Sequence, residues 1–407
     1  MKKRLITLGV ALVLMAGVLM VGGQASGLFD FSFQKKNTVT ISQAEYDRLK
    51  RYSQMDEIMQ YIEAWYLEEP DTAMLMEYAT RGMMAALGDP YTFYYNAEEW
   101  ADLQEEIAGE YGGVGMQLLG NVETNLVTVT RVFRDAPAER AGIRKGDILV
   151  RVEDIEVNAF TMQDAVDVMR GTLNEEVEIE VKRGDEYLTF RMNRAIVTIN
   201  QVEYTMLEGD VGYILLYQFE NNCAKEVKAA LAELENQGAQ SLILDLRDNP
   251  GGYVQEAIDI ADLFLDKELL MYSEDRYGDK DEYFTKEGKH SIPLLILVNG
   301  NSASSSEILA GGLHDNGRAT LMGTQSFGKG IIQTVIPLNG NTEGFQMTYA
   351  QYFLPSGSPV HKIGITPDII SEMPEELASE MFELGDLNDP QLKEAVEYAK
   401  GMTAVKD

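Results

Sequence analysis

The chain has 407 residues, which is enough for two or three domains, and its 45% hydrophobic and 25% charged residues are typical of a globular protein. The formal net charge of −32 argues against nucleic acid as a partner, because phosphate binding requires basic patches. The single cysteine, Cys223, excludes an internal disulfide framework, and the three histidines are too widely spaced in sequence to suggest a zinc site.

The N-terminus predicts export from the cytoplasm. Residues 1–4 are basic, and residues 5–23 carry no charge and consist mostly of Leu, Val, Ala, Met and Gly. At about 1.5 Å per residue this run nearly spans a hydrocarbon core about 30 Å thick, and the positive-inside rule places the following chain outside. The run is either a membrane anchor or a signal peptide cleaved after a small-residue site at 23–25. Both interpretations place the body of the protein outside the cytoplasm.

Two helices are predicted after a polar spacer at residues 28–40. Ser42 and Glu45 form a capping-box pattern, and an apolar stripe at three- and four-residue spacing continues until Pro70. A second helix is predicted over residues 72–87, with an extended piece after it. The Met and aromatic positions of both helices indicate packing in the core or between subunits.

Residues 109–193 predict a small β-rich module. A glycine-rich loop enters a strand near Met116, and an amphipathic helix is predicted at residues 161–169. Further strands are predicted at residues 125–132, 146–152, 177–181 and 187–191. This order of elements resembles a PDZ domain in its bacterial, permuted form.

The PDZ resemblance implies a binding site for peptides. Such a loop offers unpaired N–H groups to the carboxylate at a peptide's C-terminus, which assigns the site to Gly113, Val114, Gly115 and Met116. The peptide adds a strand between residues 116–119 and the helix. The alternative interpretation is a β-rich spacer that has no ligand.

From residue 197 onward, hydrophobic strands alternate with helices. Strands are predicted at residues 211–219, 241–246, 292–298, 319–323, 331–338 and 344–354, with helices at 223–237, 253–265 and 307–313. This alternation predicts a mostly parallel sheet with both faces covered. The tail beyond residue 374 is acidic and is predicted to be helical.

Three motifs in this region carry candidate chemistry. Gly251 and Gly252 lie at a predicted strand-to-helix turn, where free backbone N–H groups are candidate oxyanion donors. Residues 302–306 are rich in serine and precede a helix, where a serine is either a nucleophile or an N-cap. Lys329 lies between glycines, and a lysine acts as a base only when burial lowers its pKa. A surface lysine is the alternative.

Together these motifs resemble those of the C-terminal processing peptidases, or tail-specific proteases. The matching stretches are Asp-Leu-Arg-x-Asn-Pro-Gly-Gly at 245–252, Ser-Ala-Ser-x-Ser-Glu-Ile at 302–308, Phe-Gly-Lys-Gly at 327–330 and Leu-Gly-Asp-Pro-Tyr-Thr at 87–92. With the PDZ-like module, they cover about residues 40–372 in the family's order. A Ser–His pair is disfavoured, because His314 is predicted about three helical turns from Ser304.

The resemblance implies a serine endopeptidase with a Ser-Lys dyad. The family's nucleophile lies 25 positions before its lysine, which implies Ser304 as nucleophile and Lys329 as general base. Gln333 corresponds to the residue that orients the lysine. The oxyanion donors correspond to backbone N–H groups of Gly251, Gly252 and Ser305. Many members have alanine at the last of these positions, and a backbone donor tolerates that difference.

The resemblance also implies an architecture, which is an α/β, crotonase-like serine peptidase core with an inserted β-rich PDZ domain and helical N- and C-terminal segments. The predicted divisions are an export segment at residues 1–27, an N-terminal helical region at 28–108, the PDZ domain at 109–193, the peptidase core at 194–372 and a helical tail at 373–407. No metal or organic cofactor is implied.

Partners and control follow from the same resemblance. The expected substrates are proteins or peptides with free C-termini, and helices at both ends are expected to form a homodimer. Contact with a bacterial cell membrane is expected from the uncharged run at residues 5–23 and not from the resemblance. Arg170, after the module's helix, corresponds to a position that couples the PDZ domain to proteolysis. An exposed arginine that ends a helix is the alternative.

Two other functions fit parts of the sequence. The first is a catalytically silent PDZ scaffold that binds peptides, and the Ser, Lys, Gln and glycine turn argue against it. The second is a crotonase-type hydratase or thioesterase, which uses a similar oxyanion turn. Its substrate is a cytoplasmic thioester, which conflicts with the predicted export segment and tail-binding module.

Overall fold

The structure, a computed structural model, describes residues 39–108, 110–220, 222–286, 290–377, 380 and 382–402. The predicted export segment and most of the predicted spacer lie outside the described residues. Within those ranges, no helix is long and apolar enough to cross a membrane. One compact unit ends at Met76, and a second begins at Glu77.

The helices and strands can be given in chain order. The described helices are α1 (Gln43–Lys50), α2 (Ser53–Trp65), α3 (Thr72–Ala85), α4 (Ala97–Ala108), α5 (Pro137–Ala141), α6 (Met162–Arg170), α7 (Cys223–Asn236), α8 (Val254–Ala261), α9 (Ser305–Asp315) and α10 (Pro390–Ala399), with a 3₁₀ turn at Glu375–Leu377. The described strands are β1 (Phe93–Tyr95), β2 (Glu110–Gly113), β3 (Met116–Asn121), β4 (Leu126–Val132), β5 (Ile148–Val152), β6 (Ile155–Glu156), β7 (Glu176–Arg183), β8 (Glu186–Asn193), β9 (Ala195–Thr198), β10 (Val202–Leu207), β11 (Val211–Leu216), β12 (Ser241–Asp245), β13 (Leu269–Asp275), β14 (Lys280–Phe284), β15 (Leu294–Val298), β16 (Ala319–Gly323), β17 (Ile331–Leu338), β18 (Glu343–Phe353) and β19 (Ile369–Ile370). The sequence did not predict α4, β10 or the β13–β14 hairpin.

The first unit contains α1, α2 and the start of α3. The predicted capping box is confirmed, because Ser42 Oγ accepts the Glu45 N–H at 3.2 Å and the Glu45 carboxylate accepts the Ser42 N–H at 2.8 Å. The predicted apolar stripe is divided into two helices. Between them, the Ser53 hydroxyl donates to the Lys50 carbonyl at 2.8 Å, a side-chain bond that competes with the helical ladder.

The central sheet of the second unit has the strand order β10-β11-β12-β15-β16-β19. β10 runs antiparallel to β11, and the other neighbouring pairs are parallel. The predicted mostly parallel sheet is therefore confirmed. Its strand order places the ends of β12 and β15 side by side, so the turn after β12 meets the serine-rich segment after β15.

Side chains on these strands alternate between apolar clusters on the two faces of the sheet. On β12, Leu242 and Leu244 belong to one cluster and Ile243 belongs to the other. Helices α7, α8 and α9 cover the first face, whereas α10 covers the second through Leu392 and Val396. Because α10 packs on its own sheet, its apolar face is occupied within the chain. The homodimer contact through helices at both ends stays a prediction.

A separate sheet occupies the region of the predicted PDZ domain. Its strand order is β3-β4-β5-β7-β8, with β6 pairing with β5. The core between this sheet and α6 includes Val127, Leu149 and Ile179 from the strands and Ala165 and Met169 from the helix. β3 lies at the edge of the sheet, so its outer backbone groups are available for another strand. The exact domain boundaries stay a prediction.

The two strands that directly follow Lys329, β17 and β18, do not join the parallel sheet. β17 and β18 pair with each other, and β18 also pairs with β1 and β13, all antiparallel. The exposure of side chains along β17 partly alternates, as in an antiparallel sheet with one face toward solvent. This antiparallel sheet brings the loop before β1 close to the loop before β17, although about 240 residues separate the two loops in sequence.

Candidate active site

The serine-rich segment before α9 is fixed against the turn at residues 246–252. Three hydroxyls that are 0% exposed donate to backbone carbonyls of this turn. The bonds run from Ser302 to Leu246, from Ser305 to Gly252 and from Ser306 to Asn249, at 2.7, 2.8 and 2.9 Å. These serines hold two segments of the chain together, and their protons are committed to that contact.

Ser304 differs from the other serines in exposure and in backbone conformation. Its side chain is half-buried, and among the described residues its hydroxyl donates no hydrogen bond. Its φ of 55° and ψ of −115° lie in a region that residues other than glycine rarely adopt, at a cost of about 1–3 kcal/mol. Ser304 is also the residue that precedes α9, where the helix dipole favours a developing negative charge.

The glycine turn approaches this segment closely. A Cβ atom at Gly251 would lie 2.7 Å from the Ala303 carbonyl and 2.8 Å from Ser304 Cβ, so a side chain does not fit. The Gly251 N–H already donates to Asn249 Oδ1 at 2.9 Å. Of the three predicted oxyanion donors, the backbone N–H groups of Gly252 and Ser305 are the ones without an acceptor in the described part of the chain.

Lys329 lies in the loop before β17 and is half-buried. Burial lowers the pKa of its ammonium group, and the negative charges of Asp89 and Glu307 partly oppose this shift. Its Nζ atom lies 4.4 Å from the centroid of the Tyr91 ring. Within the described residues, Nζ makes no hydrogen bond to the Ser304 hydroxyl.

The predicted dyad and Gln333 line one cleft of about 450 Å³. Leu103 and Ile107 of α4 are also on its wall, together with apolar residues of α8, α9 and β17. Gln333 Nε2 donates to Thr348 Oγ1 at 3.1 Å. The sequence patterns used above did not predict helix α4. The capping-box spacing at its start, from Asn96 to Glu99, is the signal that indicates it.

Asp89 and Tyr91 received no role from the sequence, yet both lie beside Lys329. Asp89 accepts the Tyr91 N–H at 3.0 Å and the Thr92 hydroxyl at 2.7 Å. Burial alone would raise the pKa of Asp89, but hydrogen bonds from Thr92, Thr348 and the Tyr91 N–H outweigh burial and lower it. Asp89 therefore stays ionised near Lys329. The sequence signal for a role of these residues was the Gly-Asp-Pro-Tyr-Thr motif at residues 88–92, which is longer than the end of a helix requires.

Glu307 is a third residue that received no place in the site from the sequence. It is 0% exposed, and its Oε2 atom accepts the backbone N–H groups of Ser304 and Lys329 at 2.9 Å each. The available signal was the capping-box spacing of Ser304 and Glu307 before an apolar helix. That spacing predicts the contact with Ser304 but gives no indication of the contact with Lys329.

The predicted tail-binding residues lie where the chain enters β3. Gly113 ends β2, Val114 is buried, and Met116 begins β3. Gly115 has a φ of 86°, and a Cβ atom there would lie 2.2 Å from Ala136 Cβ. The backbone conformation and the close neighbour both require glycine, which fixes the loop against α5 and directs it into the edge strand.

Arg170 ends α6 and contacts α4. Its Nη1 atom lies 3.3 Å from the Glu105 carboxylate and 3.9 Å from that of Asp102. Its guanidinium carbon lies 5.6 Å from the centroid of the Tyr111 ring. Because α4 also lines the cleft, Arg170 connects the small sheet region to a wall of the candidate site. Its coupling role stays a prediction.

Other polar groups have structural surroundings. His314 Nε2 lies 2.9 Å from Asp368 Oδ1, away from the serine segment, and Cys223 is buried. Among the described residues, no cluster of three or more His, Cys, Asp and Glu side chains is arranged to hold a metal ion.

Comparison with known families gives three matches along the chain. Residues 13–99 match the activating protease CtpB N-terminal domain, residues 128–183 match the PDZ domain, and residues 210–371 match peptidase family S41. The predicted fold, a crotonase-like S41 peptidase core with a PDZ domain, is confirmed by these matches and by the sheets described above.

Curated relatives and solved structures agree with the family matches. A carboxy-terminal-processing protease of Bartonella bacilliformis is 36% identical over 339 residues, which cover 81% of this chain and 77% of that protein. A carboxyl-terminal-processing protease of Synechocystis sp. is 36% identical over 372 residues, which cover 88% of this chain and 86% of that protein. The solved photosystem II D1 C-terminal processing protease is similar over 87% of this chain and 100% of its own, with 29% identity and a TM-score of 0.51. The chain belongs to the carboxyl-terminal-processing proteases of peptidase family S41 and is a serine protease that carries a PDZ domain.

Proposed function

We propose that the protein cleaves other proteins near their C-termini with Ser304 as nucleophile and Lys329 as general base. The observation that carries this proposal is the difference among the serines. The hydroxyls of Ser302, Ser305 and Ser306 are bonded to the glycine turn, whereas Ser304 lines the same cleft as Lys329. A base is needed because a serine hydroxyl is a weak nucleophile, and burial favours the neutral amine of Lys329.

In the proposed reaction, the neutral Lys329 amine takes the proton from Ser304 Oγ as Oγ attacks the scissile carbonyl carbon. The resulting oxyanion accepts the free N–H groups of Gly252 and Ser305, and one such donor lowers a barrier by about 3 kcal/mol. The Lys329 ammonium then donates its proton to the leaving amine as the C–N bond breaks. Lys329 then takes a proton from a water molecule as its oxygen attacks the acyl carbon, the C–Oγ bond breaks to release the new carboxyl terminus, and the Lys329 ammonium returns the proton to Ser304 Oγ.

This mechanism requires Lys329 to leave the Tyr91 ring. Its amine has to come within about 2.6–3.2 Å of Ser304 Oγ to take the proton. The four-carbon stem of lysine permits that movement, and Gln333 lines the same cleft. We propose that Gln333 exchanges Thr348 for the Lys329 amine when substrate enters and so orients the amine without adding charge.

The dyad is tested by replacing its two members separately. Ser304→Ala and Lys329→Ala are each expected to abolish cleavage of an unstructured reporter protein while the circular dichroism spectrum and Tm remain near wild type. Lys286→Ala is the matched control, because this exposed lysine pairs with Asp259 and Asp262 in the α8 region and should keep full activity. Cleavage by either dyad variant would reject the mechanism. An inactive wild-type protein that binds tails would support the scaffold alternative.

We propose that the PDZ domain selects substrates by their free C-termini, bound at Gly113, Val114, Gly115 and Met116. The support is the edge position of β3, to which an extended peptide can add. In binding assays with the Ser304→Ala protein, a peptide with a free carboxylate should bind more tightly than the same peptide with a terminal amide. Equal affinity of the two peptides would contradict carboxylate recognition.

We further propose that the enzyme acts outside the cytoplasm and forms a homodimer. The support for export is the basic start and the apolar run at residues 1–23, and the support for a dimer is the resemblance of the terminal helices to those of the family. Protease added to cells whose outer envelope is permeabilised, but whose cytoplasmic membrane is intact, should digest the body of the protein. Sedimentation should give the mass of two chains.

A further inference from the structure

The carboxylate of Glu307 is buried. The side chain is 0% exposed, and no salt bridge to it is present among the described residues. Its charge is instead stabilised by four hydrogen-bond donors. Oε1 accepts Ser326 Oγ–H at 2.5 Å and Gly328 N–H at 2.7 Å, and Oε2 accepts Ser304 N–H and Lys329 N–H at 2.9 Å each.

Helix capping explains only one of these bonds. In a capping box, the carboxylate at the third helical position accepts the N–H of the N-cap residue, here Ser304. The other donors come from the loop at residues 326–329, about 20 residues further along the chain. An ordinary surface helix cap is exposed to water, whereas this carboxylate is enclosed between two chain segments. Capping of α9 alone therefore does not explain why this carboxylate is buried.

We propose that Glu307 is a positioning residue that sets the relative placement of Ser304 and Lys329 by holding both of their backbone N–H groups on one carboxylate oxygen. The inference rests on the proposed Ser-Lys dyad. Through Oε2 the carboxylate holds the backbone of Ser304 in its strained conformation. Through the same atom it fixes the backbone position of Lys329. Ser326 and Gly328 secure the other oxygen, so the carboxylate cannot rotate away.

The same carboxylate supplies a negative charge to the site. Charged groups that act on the Lys329 ammonium are Glu307 from α9 and Asp89 from the loop before β1, and both oppose the effect of burial. Replacing Glu307 with glutamine removes one of these charges and favours the neutral amine. Because the neutral amine is the active form, the acid limb of the pH–rate profile then moves to lower pH.

Two substitutions in the full-length protein separate the effect of side-chain length from the effect of charge. Glu307→Gln keeps the size but offers one acceptor oxygen, so kcat should fall by about 100-fold, with KM changed by less than about threefold and the acid limb at lower pH. Glu307→Asp keeps the charge but is one methylene shorter, so kcat should fall by at least about tenfold with the limb near its wild-type position.

A buried carboxylate elsewhere provides the control for a merely structural effect. Asp147 in the PDZ domain is 1% exposed and bonds Arg183 and the Arg144 N–H. Asp147→Asn should lower Tm without moving the acid limb. If Glu307→Gln lowers Tm but leaves both kcat and the acid limb at wild-type values, the positioning role is wrong.

The result remains informative if Glu307→Gln does not fold. Ser326→Ala removes one donor to Oε1 and leaves the dyad intact, so kcat should fall by about 3- to 10-fold at unchanged KM. Wild-type kcat in Ser326→Ala and in Glu307→Asp would overturn the inference. Failure of the dyad itself is distinguishable, because it appears as retained activity in Lys329→Ala.

Discussion

The Nζ atom of Lys329 lies 4.4 Å from the centroid of the Tyr91 ring. At this distance the ring face attracts an ammonium group and so favours the protonated form of the lysine, which cannot act as a base. Burial has the opposite effect and favours the neutral form. The position of the side chain between Tyr91 and Ser304 is therefore expected to control how much of the enzyme is active.

Replacing the Tyr91 ring should favour the active arrangement. Tyr91→Leu removes an attraction of about 0.5–1 kcal/mol for the ammonium, so cleavage of a short reporter peptide is expected to rise about two- to fivefold. Tyr91→Phe keeps the ring face and is the matched control, with a rate near wild type. A lower rate for Tyr91→Leu at unchanged Tm would show that the ring assists catalysis instead.

Removing the charge of Asp89 should shift the pH dependence. The Asp89 carboxylate stabilises the Lys329 ammonium and so raises its pKa, and Asp89→Asn removes this effect. The pKa of Lys329 then falls, the neutral amine forms at lower pH, and the acid limb of kcat/KM moves in the same direction. The control is Asp281→Asn, an exposed carboxylate in β14, which should leave the limb in place. A limb that moves to higher pH would contradict the assignment.

Gly251→Ala should damage both stability and activity. Its added Cβ would approach the Ala303 carbonyl to 2.7 Å, and its φ of 102° is unfavourable for alanine. The expected loss is about 2–4 kcal/mol of unfolding free energy, with cleavage abolished because the turn moves away from Ser304. Gly238 has a similar φ of 98° but open space around it, so Gly238→Ala should cost only about 1–2 kcal/mol and keep activity. Urea unfolding and the reporter assay measure both. Equal losses in the two variants would mean that crowding at the turn is unimportant.

Arg170→Ala should weaken the response to bound tails. The change removes the contacts of Arg170 with Glu105 and Asp102 of α4, the helix that lines the cleft. The expected result is a smaller ratio of peptidase rates with and without an added tail peptide, while Tm changes little because such exposed pairs contribute about 0–1 kcal/mol. Arg191→Ala removes the ion pair between the exposed Arg191 and the half-buried Glu178 within the PDZ sheet and should leave the ratio unchanged. An unaltered ratio in Arg170→Ala would support the simple helix-end interpretation.

Much of the fold was predictable because it depends on local patterns. The parallel strands are continuous apolar runs, and the capping box at Ser42 follows from spacing alone. The antiparallel sheet was less predictable. Strands β17 and β18 follow the parallel strand β16 in sequence, and only long-range pairing with β1 and β13 shows that they form another layer. The start of helix α4 carries a capping-box spacing, from Asn96 to Glu99, which is a local signal for a helix.

The sequence by itself determined the family, the PDZ domain and the expected chemistry, because linear motifs state which residue types are present and at what spacing. Only the tertiary structure decided how those residues are used. The hydroxyls of Ser302, Ser305 and Ser306 donate to carbonyls of the neighbouring turn, whereas that of Ser304 does not. The Gly251 N–H donates to Asn249, and the Lys329 amine lies over the Tyr91 ring. Bond geometry and burial depend on contacts between distant parts of the chain, and no local pattern contains that information.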